Sequence, residues 1–317
     1  MRLLPGQYKS YDAPPTEWIA KYAGIPPSEV LRFDGNTSPH APAYARAENL
    51  RDALESVHTY PHGGYPHLAP ALAEYAGVSP ENVVLGAGAD DLILLVTRAF
   101  AGRGERIAIA NSPTYPLFEI ATWLAGAEVD DEEPALTIFC RPNNPTGELG
   151  ELPGARPLVV DEAYFEYSGV TAVDLIEDDV IVLRTFSKAF GLAGARVGYA
   201  LAGREVAEEL NRRQHPAPIS TLSVALALAA LESPPDVRPI VDERERLAED
   251  LRAIGLEPWP SAANFLYVAF PDAAETAEQL MRSGLPVRRL PDAIRITVRN
   301  RDDDVRLVRR LEDIRAA

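Results

Sequence analysis

The stretch VIVLRTFSKAFGLAGARVG, residues 180–198, decides how this part of the chain folds. It begins as a continuous run of Val, Ile and Leu, which is typical of a β-strand covered on both faces. A serine and a single lysine, Lys188, follow the run, and then come small residues and Arg196. An ammonium group among closely packed small residues is costly to desolvate. Lys188 therefore indicates chemistry at the carboxyl end of this strand.

Further apolar runs of strand length alternate with segments of helical period between about residues 45 and 230. The runs are ENVVLG at 81–86, ERIAIA at 105–110, LTIFC at 136–140, PLVVDEAY at 157–164 and ARVGYALA at 195–202. Helical periods follow two of them, in DDLILLVTRAFA at 90–101 and PLFEIATWLAGA at 116–127. Continuous apolar runs suit strands that are buried on both faces. The pattern predicts an α/β fold with a mainly parallel sheet flanked by helices.

The C-terminal part has a different pattern, which predicts a smaller α+β unit. Charged helical segments there alternate with the short strands NFLYVAF at 264–270, PVRRL at 286–290 and AIRITVR at 293–299. We expect a large domain over residues 41–230 and a small domain formed by 1–40 and 231–317, with an N-terminal arm that is a candidate lid. The helix predicted at 220–233 is apolar nearly all round, so it should be buried or contact a second subunit.

Composition and charge exclude several classes of function. The chain has 317 residues and a formal net charge of −16, which disfavours nucleic acid and anionic membranes as partners. Its single cysteine, Cys140, excludes an internal disulfide and fits a reducing compartment. The first residues are too polar for a signal peptide, and no apolar run reaches membrane-spanning length. We expect a soluble cytoplasmic protein that binds small molecules and no metal.

The loop in VLGAGADDLILL, residues 84–95, follows a predicted strand and leads into a helix. Its small residues allow a ligand to approach the backbone, and the free N–H groups of a first helical turn attract phosphate. An ordinary tight strand–helix connection has the same composition, so the loop alone does not define a site. Its glycine spacing matches neither the dinucleotide-binding fingerprint nor the Walker loop.

Two more strand ends carry polar side chains. CRPNNPTGELG at 140–150 has the composition of a turn, but it is longer than a turn requires, and Asn144 can donate a hydrogen bond there. In PLVVDEAYFEY at 157–167, Asp161 suits a cap of the next segment. A carboxylate at a strand end is also what a pyridinium nitrogen needs as its partner, and Tyr164 can point the same way.

Lys188 itself allows two interpretations. It is a surface lysine, or it is a desolvated amine that acts as nucleophile and base, with Ser187 and Arg196 able to bind an anion beside it. A phosphate loop, an asparagine, an Asp–Tyr pair and a lysine at successive strand ends together describe one ligand, pyridoxal 5′-phosphate (PLP). The set resembles the fold-type I PLP-dependent aminotransferases of class I/II.

Within that family the chain most resembles the histidinol-phosphate aminotransferase subfamily, over most of its length. The motifs that carry the resemblance are NTSP at 36–39, YPHGGYPHLAPALAEYAGV at 60–78, PNNPTG at 142–147, DEAY at 161–164, SKAFGLAGARVG at 187–198, VRRL at 287–290 and IRITVR at 294–299. PNNPTG and SKAFGLAGARVG are highly specific in combination. The resemblance implies ping-pong transamination between histidinol phosphate and 2-oxoglutarate in histidine biosynthesis.

The resemblance also assigns roles around the cofactor. Lys188 would carry PLP as an aldimine and move the proton at the substrate α-carbon. Asp161 would pair with the pyridine nitrogen, which makes the ring an electron sink. Asn144 and Tyr164 would hydrogen-bond the ring oxygen, and Tyr115 would stack on the ring. The phosphate would be bound by the backbone amides of Ala89 and Asp90 and by the side chains of Ser187 and Arg196.

Other residues are assigned to the substrate and to a second subunit. Arg295 would bind the substrate carboxylate as a bidentate fork, together with Asn144 and Asn36. Arg288 would help to bind the distant phosphate of the substrate. Tyr60, in the YP motif, would reach the phosphate of the neighbouring subunit, which implies a homodimer with shared sites.

The resemblance leaves other functions open. An aromatic amino-acid aminotransferase and a threonine-phosphate-type PLP decarboxylase would use the same lysine, and a cofactor-binding sensor would need no catalytic set. Three departures from the family pattern bear on the choice of substrate. His40 replaces the aromatic residue that is common in the N-terminal motif, and the segment RRQHPAPISTLS has His215 and Ala217 where relatives often have an aromatic residue after proline. Arg299 replaces the usual glycine after RITV, which should add charge near the mouth of the site.

Overall fold

The structure, a computed structural model, describes residues 13–61, 63 and 65–316. The first 12 residues of the predicted arm, and His62 and Gly64 of the YPHGGYP motif, lie outside the described residues. Contacts divide the described residues into two units. The first contains His40–Asn143 and Gly150–Pro235, and the second contains 13–39, Asn144–Leu149 and 236–316.

The segment Asn144–Leu149 packs with the second unit, although the predicted large domain includes it. Gly147 has a φ of +83°, and a Cβ added there would lie 2.2 Å from the Ser261 Oγ. The Ala262 N–H also donates a hydrogen bond of 2.8 Å to the Gly147 carbonyl. A glycine is required for so close an approach at a positive φ. The domain bounds predicted from the sequence remain a proposal.

The first unit is built on one sheet. Its strands, numbered along the chain, are β1 (Val83–Gly86), β2 (Arg106–Ile109), β3 (Glu128–Val129), β4 (Leu136–Cys140), β5 (Leu158–Asp161), β6 (Val180–Thr185) and β7 (Gly198–Leu201). Their order in the sheet is β1-β7-β6-β5-β4-β2-β3. β3, β2, β4, β5 and β6 pair in parallel, whereas β7 is antiparallel to both β1 and β6.

Both units contain helices, and those of the first unit cover both faces of its sheet. The helices of the described residues are α1 (Thr16–Ala23), α2 (Arg51–Glu55), α3 (Leu68–Ala76), α4 (Ala89–Phe100), α5 (Leu117–Ala125), α6 (Phe165–Ser168), α7 (Arg204–Arg213), α8 (Thr221–Glu232), α9 (Arg238–Ala253), α10 (Ala273–Arg282) and α11 (Arg301–Ala316). Apolar side chains of α4, α5 and α7 pack on one face of the sheet, and those of α3 and α8 on the other. The predicted α/β fold is confirmed.

Within the described ranges, no helix has both the length and the apolar character needed to cross a bilayer. The apolar helix α8 is only partly buried. Ser223, Ala227 and Ala230 are buried, whereas Val224 and Leu228 are partly exposed. The predicted burial of this helix therefore holds for one face, and its remaining apolar surface is available to a partner.

The second unit contains a smaller antiparallel sheet. Its strands β8 (Phe265–Ala269), β9 (Arg288–Arg289) and β10 (Ala293–Thr297) are arranged in the order β8-β10-β9. Ile294 and Ile296 of β10 pack in a core with leucines of α9 and α11. Because side chains alternate along a strand, Arg295 lies on the opposite face of the sheet from these isoleucines.

A buried ion pair connects β5 and β6 just beyond their last paired residues. The Arg184 Nη2 lies 3.0 Å from the Glu162 Oε2, and both side chains are inaccessible to solvent. Glu162 also accepts hydrogen bonds from the Thr171 hydroxyl and the Ala172 N–H, over 2.9 and 2.6 Å. The Arg184 Cζ lies 3.6 Å from the centroid of the Phe165 ring. Both charged groups thus have partners within the protein, although burial still raises the pKa of Glu162.

Removing only one member of this pair should destabilise the protein strongly. Arg184→Met leaves the Glu162 carboxylate buried without its cation, and it should lower the free energy of unfolding by about 3–5 kcal/mol. Glu162→Gln combined with Arg184→Met removes both charges of the pair, so it should recover much of that loss. Urea denaturation of the wild type, both single variants and the double variant measures the coupling. Additive effects would contradict this account of the pair.

Candidate active site

Two neighbouring strands of the first unit end at the side chains that the sequence assigns to chemistry. β5 and β6 are parallel, and their register places Asp161 opposite Leu183. β6 ends at Thr185, and Lys188 follows in the next loop. Because the carboxyl ends of parallel strands meet at one edge of a sheet, Asp161 and Lys188 belong to the same edge.

The Asp161 carboxyl is buried at the end of β5. Its Oδ1 accepts a hydrogen bond of 3.0 Å from the Ala163 N–H, so it does cap the following segment. Burial raises the pKa of Asp161 from 3.8 to about 7, while the Ala163 N–H and the positive charge of Lys188 act to lower it. A cation in contact with this carboxyl would favour its ionised form. The group is therefore suited to a positively charged partner.

Lys188 lies in a closely packed loop and faces an aromatic ring. Its Nζ is 5.5 Å from the centroid of the buried Tyr164 ring. The Gly191 N–H donates a hydrogen bond of 2.9 Å to the Lys188 carbonyl, and Gly191 has a φ of +65°. Phe186 and Phe190 are buried in the same segment, with ring centroids 4.5 Å apart. The close packing expected around Lys188 therefore holds for these two phenylalanines, whereas Lys188 itself is half-buried and Gly194 is exposed.

The start of α4 is kept open by glycines. Gly88 precedes the helix with a φ of +88°, and a Cβ added there would lie 2.7 Å from the Arg196 Nη2. A Cβ at Gly198 would lie 2.7 Å from the Ala89 nitrogen. Only glycine fits at these two positions without displacing its neighbours. The free N–H groups of the helix start and the Arg196 guanidinium together favour a bound anion.

Arg196 contacts other residues that the sequence assigns to the cofactor. Its backbone has a φ of +53°, a strained conformation of the kind that is concentrated at functional sites. Its Nη2 forms an ion pair of 2.9 Å with the Asp90 Oδ2, and its Nη1 donates a hydrogen bond of 3.4 Å to the Ser187 Oγ. The Tyr115 hydroxyl donates to the Asp90 Oδ1 over 3.0 Å. The structure thus brings Asp90, Tyr115, Ser187 and Arg196 together.

The sequence interpretation missed Thr185, which belongs to the same cluster. The Thr185 hydroxyl donates to the Ser187 Oγ over 3.0 Å and accepts from the Ser187 N–H over 3.1 Å. Alternation along the strand was the available signal, because residues two apart project on the same side. Thr185 orients the hydroxyl of Ser187 and adds a second hydroxyl group to this edge of the sheet.

The two asparagines of PNNPTG have different partners. Asn143, in the first unit, accepts from the Thr114 hydroxyl over 2.7 Å and donates to the Pro113 carbonyl over 2.9 Å. It therefore ties the loop after β2 to the end of β4. Asn144, in the second unit, accepts a hydrogen bond of 2.5 Å from the Arg295 Nη1. Asn143 has the turn-stabilising role, while Asn144 orients a guanidinium.

Arg295 is held from several sides within the second unit. Besides its contact with Asn144, its Nη2 donates to the Asp34 carbonyl over 2.8 Å. Its Cζ lies 5.3 Å from the centroid of the Phe265 ring. Asp34 in turn is fixed by Arg32, whose Nη2 lies 2.6 Å from the Asp34 Oδ2. A guanidinium with these supports is oriented in advance for a carboxylate.

Asn36 is buried and its side chain has an internal partner. The Asn36 N–H donates to the Thr297 Oγ1 over 2.9 Å, and the Thr297 hydroxyl donates to the Asn36 Oδ1 over 3.0 Å. The Asn264 side chain donates to the Asn36 carbonyl over 3.2 Å. These contacts fix the segment that supplies the Asp34 carbonyl to Arg295. Substrate binding by Asn36 remains a prediction.

Arg288 and Arg295 are direct neighbours on β9 and β10. The antiparallel register pairs these two residues, and directly paired residues project on the same face of a sheet. Tyr267 of β8 pairs with Arg295 and shares that face. Arg289, the next residue on β9, projects on the opposite face and is exposed. One face of this small sheet therefore concentrates positive charge, which favours anionic ligands.

Two of the predicted contacts with the cofactor remain predictions, that of Tyr60 and the one shared by Asn144 and Tyr164. Tyr60 belongs to the first unit and its surface is 91% exposed. Asn144 belongs to the second unit and Tyr164 to the first, so a shared contact with one ring oxygen remains a prediction.

The expectation that Arg299 adds charge near the mouth of a site is wrong. Arg299 is buried, and its Nε forms an ion pair of 2.9 Å with the Asp303 Oδ2. Its Nη1 donates to the Arg32 carbonyl over 3.2 Å, and its Cζ lies 5.5 Å from the centroid of the Phe33 ring. The guanidinium is neutralised inside the second unit because Asp303 lies one helical turn further along the chain.

The fold and these side chains define a transferase of PLP fold type I. The chain belongs to the class I and II aminotransferase family, which it matches over residues 28–311. The family predicted from the motifs is confirmed.

Within this family, the chain is similar to histidinol-phosphate aminotransferases. The histidinol-phosphate aminotransferase of Caldanaerobacter subterraneus subsp. tengcongensis is 34% identical, over 89% of this chain and 92% of its own. Histidinol-phosphate aminotransferase 2 of Archaeoglobus fulgidus is 36% identical, over 92% of this chain and 94% of its own. The crystal structure of the histidinol-phosphate aminotransferase from Sinorhizobium meliloti in complex with pyridoxal-5′-phosphate has a TM-score of 0.83 and 26% identity, covering 98% of each chain.

The buried Asp161 carboxyl should make the stability of the cofactor-free protein depend on pH. Below pH 3.8 the group is neutral in the folded and the unfolded chain. As the pH rises towards about 7 the unfolded chain loses this proton first, so the free energy of unfolding falls, and above about 7 the loss is complete. Asp161→Asn carries no such proton, so it should gain up to ~4 kcal/mol relative to the wild type across this range.

Urea denaturation of both stripped proteins across this pH range measures the difference. Asparagine keeps an oxygen that accepts the Ala163 N–H, so the change is confined to the ionisable group. Burial also raises the pKa of Glu166 to about 7 and that of Asp304 to about 8. Because the wild type and the variant both contain these two groups, their contributions cancel in the difference between the two proteins. A difference that does not change with pH would contradict the assigned pKa of Asp161.

Proposed function

We propose that this chain is a PLP-dependent aminotransferase that acts on histidinol phosphate, with glutamate and 2-oxoglutarate as the second substrate pair. The observation that carries the proposal is the placement of Asp161 and Lys188 at the ends of two adjacent parallel strands. The relatives named above are histidinol-phosphate aminotransferases, and their similarity to this chain extends over about nine-tenths of its length.

The residues of the first unit fit the chemistry of PLP. A pyridine nitrogen needs a carboxylate, which Asp161 supplies, and an aldehyde needs an amine, which Lys188 supplies. A phosphate needs cationic and N–H donors, which Arg196 and the start of α4 supply. The absence of side chains at Gly88 and Gly198 leaves the backbone at that helix start accessible. Ala89, Asp90, Ser187 and Arg196 would hold the phosphate, and Tyr115 would stack on the ring.

PLP, when bound, withdraws electrons from the substrate α-carbon and so makes its proton acidic. Lys188 would take the proton from that carbon and deliver it to the C4′ atom of the cofactor. Tethering the amine beside the proton lowers the barrier by up to ~7–11 kcal/mol when the groups are well oriented. Asp161 would stay ionised through contact with the pyridinium, against the effect of its own burial. Tyr164 would orient the ring.

Arg295 would bind the substrate carboxylate. Asn144 and the Asp34 carbonyl fix the plane of its guanidinium, so little side-chain entropy is lost when a carboxylate binds. Both amino donors, histidinol phosphate and glutamate, need an anion site, but only glutamate has an α-carboxylate. Arg295 therefore serves the glutamate half-reaction directly, and the paired Arg288 would bind the phosphate of histidinol phosphate.

A second copy of the chain would cover the apolar surface around α8. α2 packs against α8, and Leu54 and Val57 near it are 54% and 55% exposed. Together with the partly exposed side chains of α8 they form an apolar surface that a homodimer would bury. Tyr60 follows this surface in the sequence, and its exposed side chain would reach the phosphate of the neighbouring subunit.

Arg288→Ala should discriminate between phosphorylated and unphosphorylated substrates. Losing a charge-assisted hydrogen bond worth about 1.5–3 kcal/mol should lower kcat/KM for histidinol phosphate by about 10- to 100-fold. kcat/KM for phenylalanine should change by less than about 2-fold, because phenylalanine has no phosphate to bind. Arg289→Ala is the matched control, since it removes the same charge from the opposite face of β9. Steady-state kinetics of the three proteins with both substrates measure the effect.

The same assays separate the competing functions. A wild-type enzyme that prefers phenylalanine would replace the proposal with an aromatic amino-acid aminotransferase. Release of CO2 from an amino-acid phosphate would identify a decarboxylase. Equal losses with both substrates in Arg288→Ala would reject the role of Arg288 while leaving the aminotransferase activity in place.

A further inference from the structure

Two neighbouring aspartates in the first turn of α4 have different tasks. The Asp91 Oδ2 accepts a hydrogen bond of 3.0 Å from the Ala87 N–H, so this side chain stabilises the loop before the helix. The Asp90 carboxylate instead divides its oxygens between two side chains. Its Oδ1 accepts from the Tyr115 hydroxyl over 3.0 Å, and its Oδ2 lies 2.9 Å from the Arg196 Nη2.

The position of this carboxylate is unexpected for an anion site. Arg196 and the start of α4 attract negative charge, and Asp90 places a fixed negative charge among them. The Asp90 and Arg196 side chains are 46% and 47% exposed, so water screens part of their attraction. A carboxylate in this position reduces the positive potential that a phosphate would encounter. It also holds two groups, Arg196 and Tyr115, that the proposed function assigns to the cofactor.

The negative charge of Asp90 also affects the pKa values of other groups at the same edge of the sheet. Burial is the main cause of a raised pKa at Tyr115, and the charge of Asp90 raises it further. At Asp161, where burial also dominates, the charge of Asp90 acts in the same direction as burial. Asp90 is therefore electrostatically coupled to the ring-stacking residue and to the residue that would pair with the pyridine nitrogen.

We propose that Asp90 is a positioning residue with two opposing effects on the cofactor. Its carboxylate fixes the Arg196 guanidinium and the Tyr115 ring, and its negative charge limits the affinity of this site for phosphate. The inference rests on the proposed function, because the phosphate concerned is that of PLP. Asp90 thus keeps the affinity for PLP below the value that Arg196, Ser187 and the helix start would give without it.

Asparagine and alanine separate the two effects. Asp90→Asn removes the charge, and with it the ion pair to Arg196, but keeps an acceptor for the Tyr115 hydroxyl. Phosphate binding should become stronger on balance, because Arg196 is then free of its competing anion. Asp90→Ala also removes that acceptor, so the Tyr115 ring loses its fixed orientation. Tyr115→Phe removes the hydroxyl and leaves the charge of Asp90 in place. Asp91→Asn is the matched control, because it changes the net charge equally in the same helical turn.

Binding is measured on cofactor-stripped protein with three probes: PLP, pyridoxal and inorganic phosphate. Asp90→Asn should bind PLP and inorganic phosphate about 5- to 10-fold more tightly, the order expected for removing one charge near an anion in a partly solvated site. Its affinity for pyridoxal, which lacks the phosphate, should change by less than about 2-fold. Asp90→Ala and Tyr115→Phe should each bind pyridoxal about 3-fold more weakly than the wild type, by loss of ring positioning.

The outcomes separate this inference from the proposed function. Wild-type protein that binds neither PLP nor pyridoxal would overturn the proposed function. Normal binding by the wild type, with PLP affinity unchanged or reduced in Asp90→Asn, would overturn the charge effect of Asp90. Equal strengthening in Asp90→Asn and Asp91→Asn would assign the change to net charge and also overturn it. Unchanged pyridoxal affinity in Asp90→Ala would overturn its role in positioning Tyr115.

Discussion

Parallel pairing of β5 with β6 is the constraint on which the candidate site depends. It brings the end of one strand, Asp161, and the loop after the other, with Lys188, to a single edge of the sheet. Both strands begin as apolar runs because helices cover both faces of the sheet, so the polar side chains of the site are confined to the strand ends and the loops that follow. The helix start at Ala89 joins the same cluster through the close approach of Gly198.

At the end of β5, a side chain on one face of the sheet stabilises the fold and a side chain on the other face belongs to the candidate site. Glu162 follows Asp161 directly, and the alternation of side chains along an extended chain directs the two carboxyls to opposite sides. Glu162 pairs with Arg184 in a buried contact, which holds the ends of β5 and β6 together beneath the site. Asp161 keeps an uncompensated burial cost, and its raised pKa reflects that cost. A positively charged ligand in contact with Asp161 would offset this burial cost.

Much of the fold and of the candidate site follows from the sequence. The continuous apolar runs predict the strands, and the polar residues after them identify Asp161, Asn144 and Lys188. The antiparallel direction of β7 was not predictable, because a short apolar run has the same pattern in either direction. Thr185 was missed because threonine is a common strand residue. The partner of Arg299 was missed because the sequence interpretation treated an unusual arginine as exposed, although Asp303 stands at helical spacing from it.

The account rests on Lys188 as the residue that binds the cofactor, and borohydride reduction tests this most directly. The sequence contains three lysines, Lys9, Lys21 and Lys188, so peptide mapping assigns the label without ambiguity. Reduction of the PLP-loaded protein should place the label on Lys188 alone. Prior incubation with glutamate should prevent labelling and release one equivalent of 2-oxoglutarate per chain. Label on another lysine, no label at all, or labelling unaffected by glutamate would contradict it.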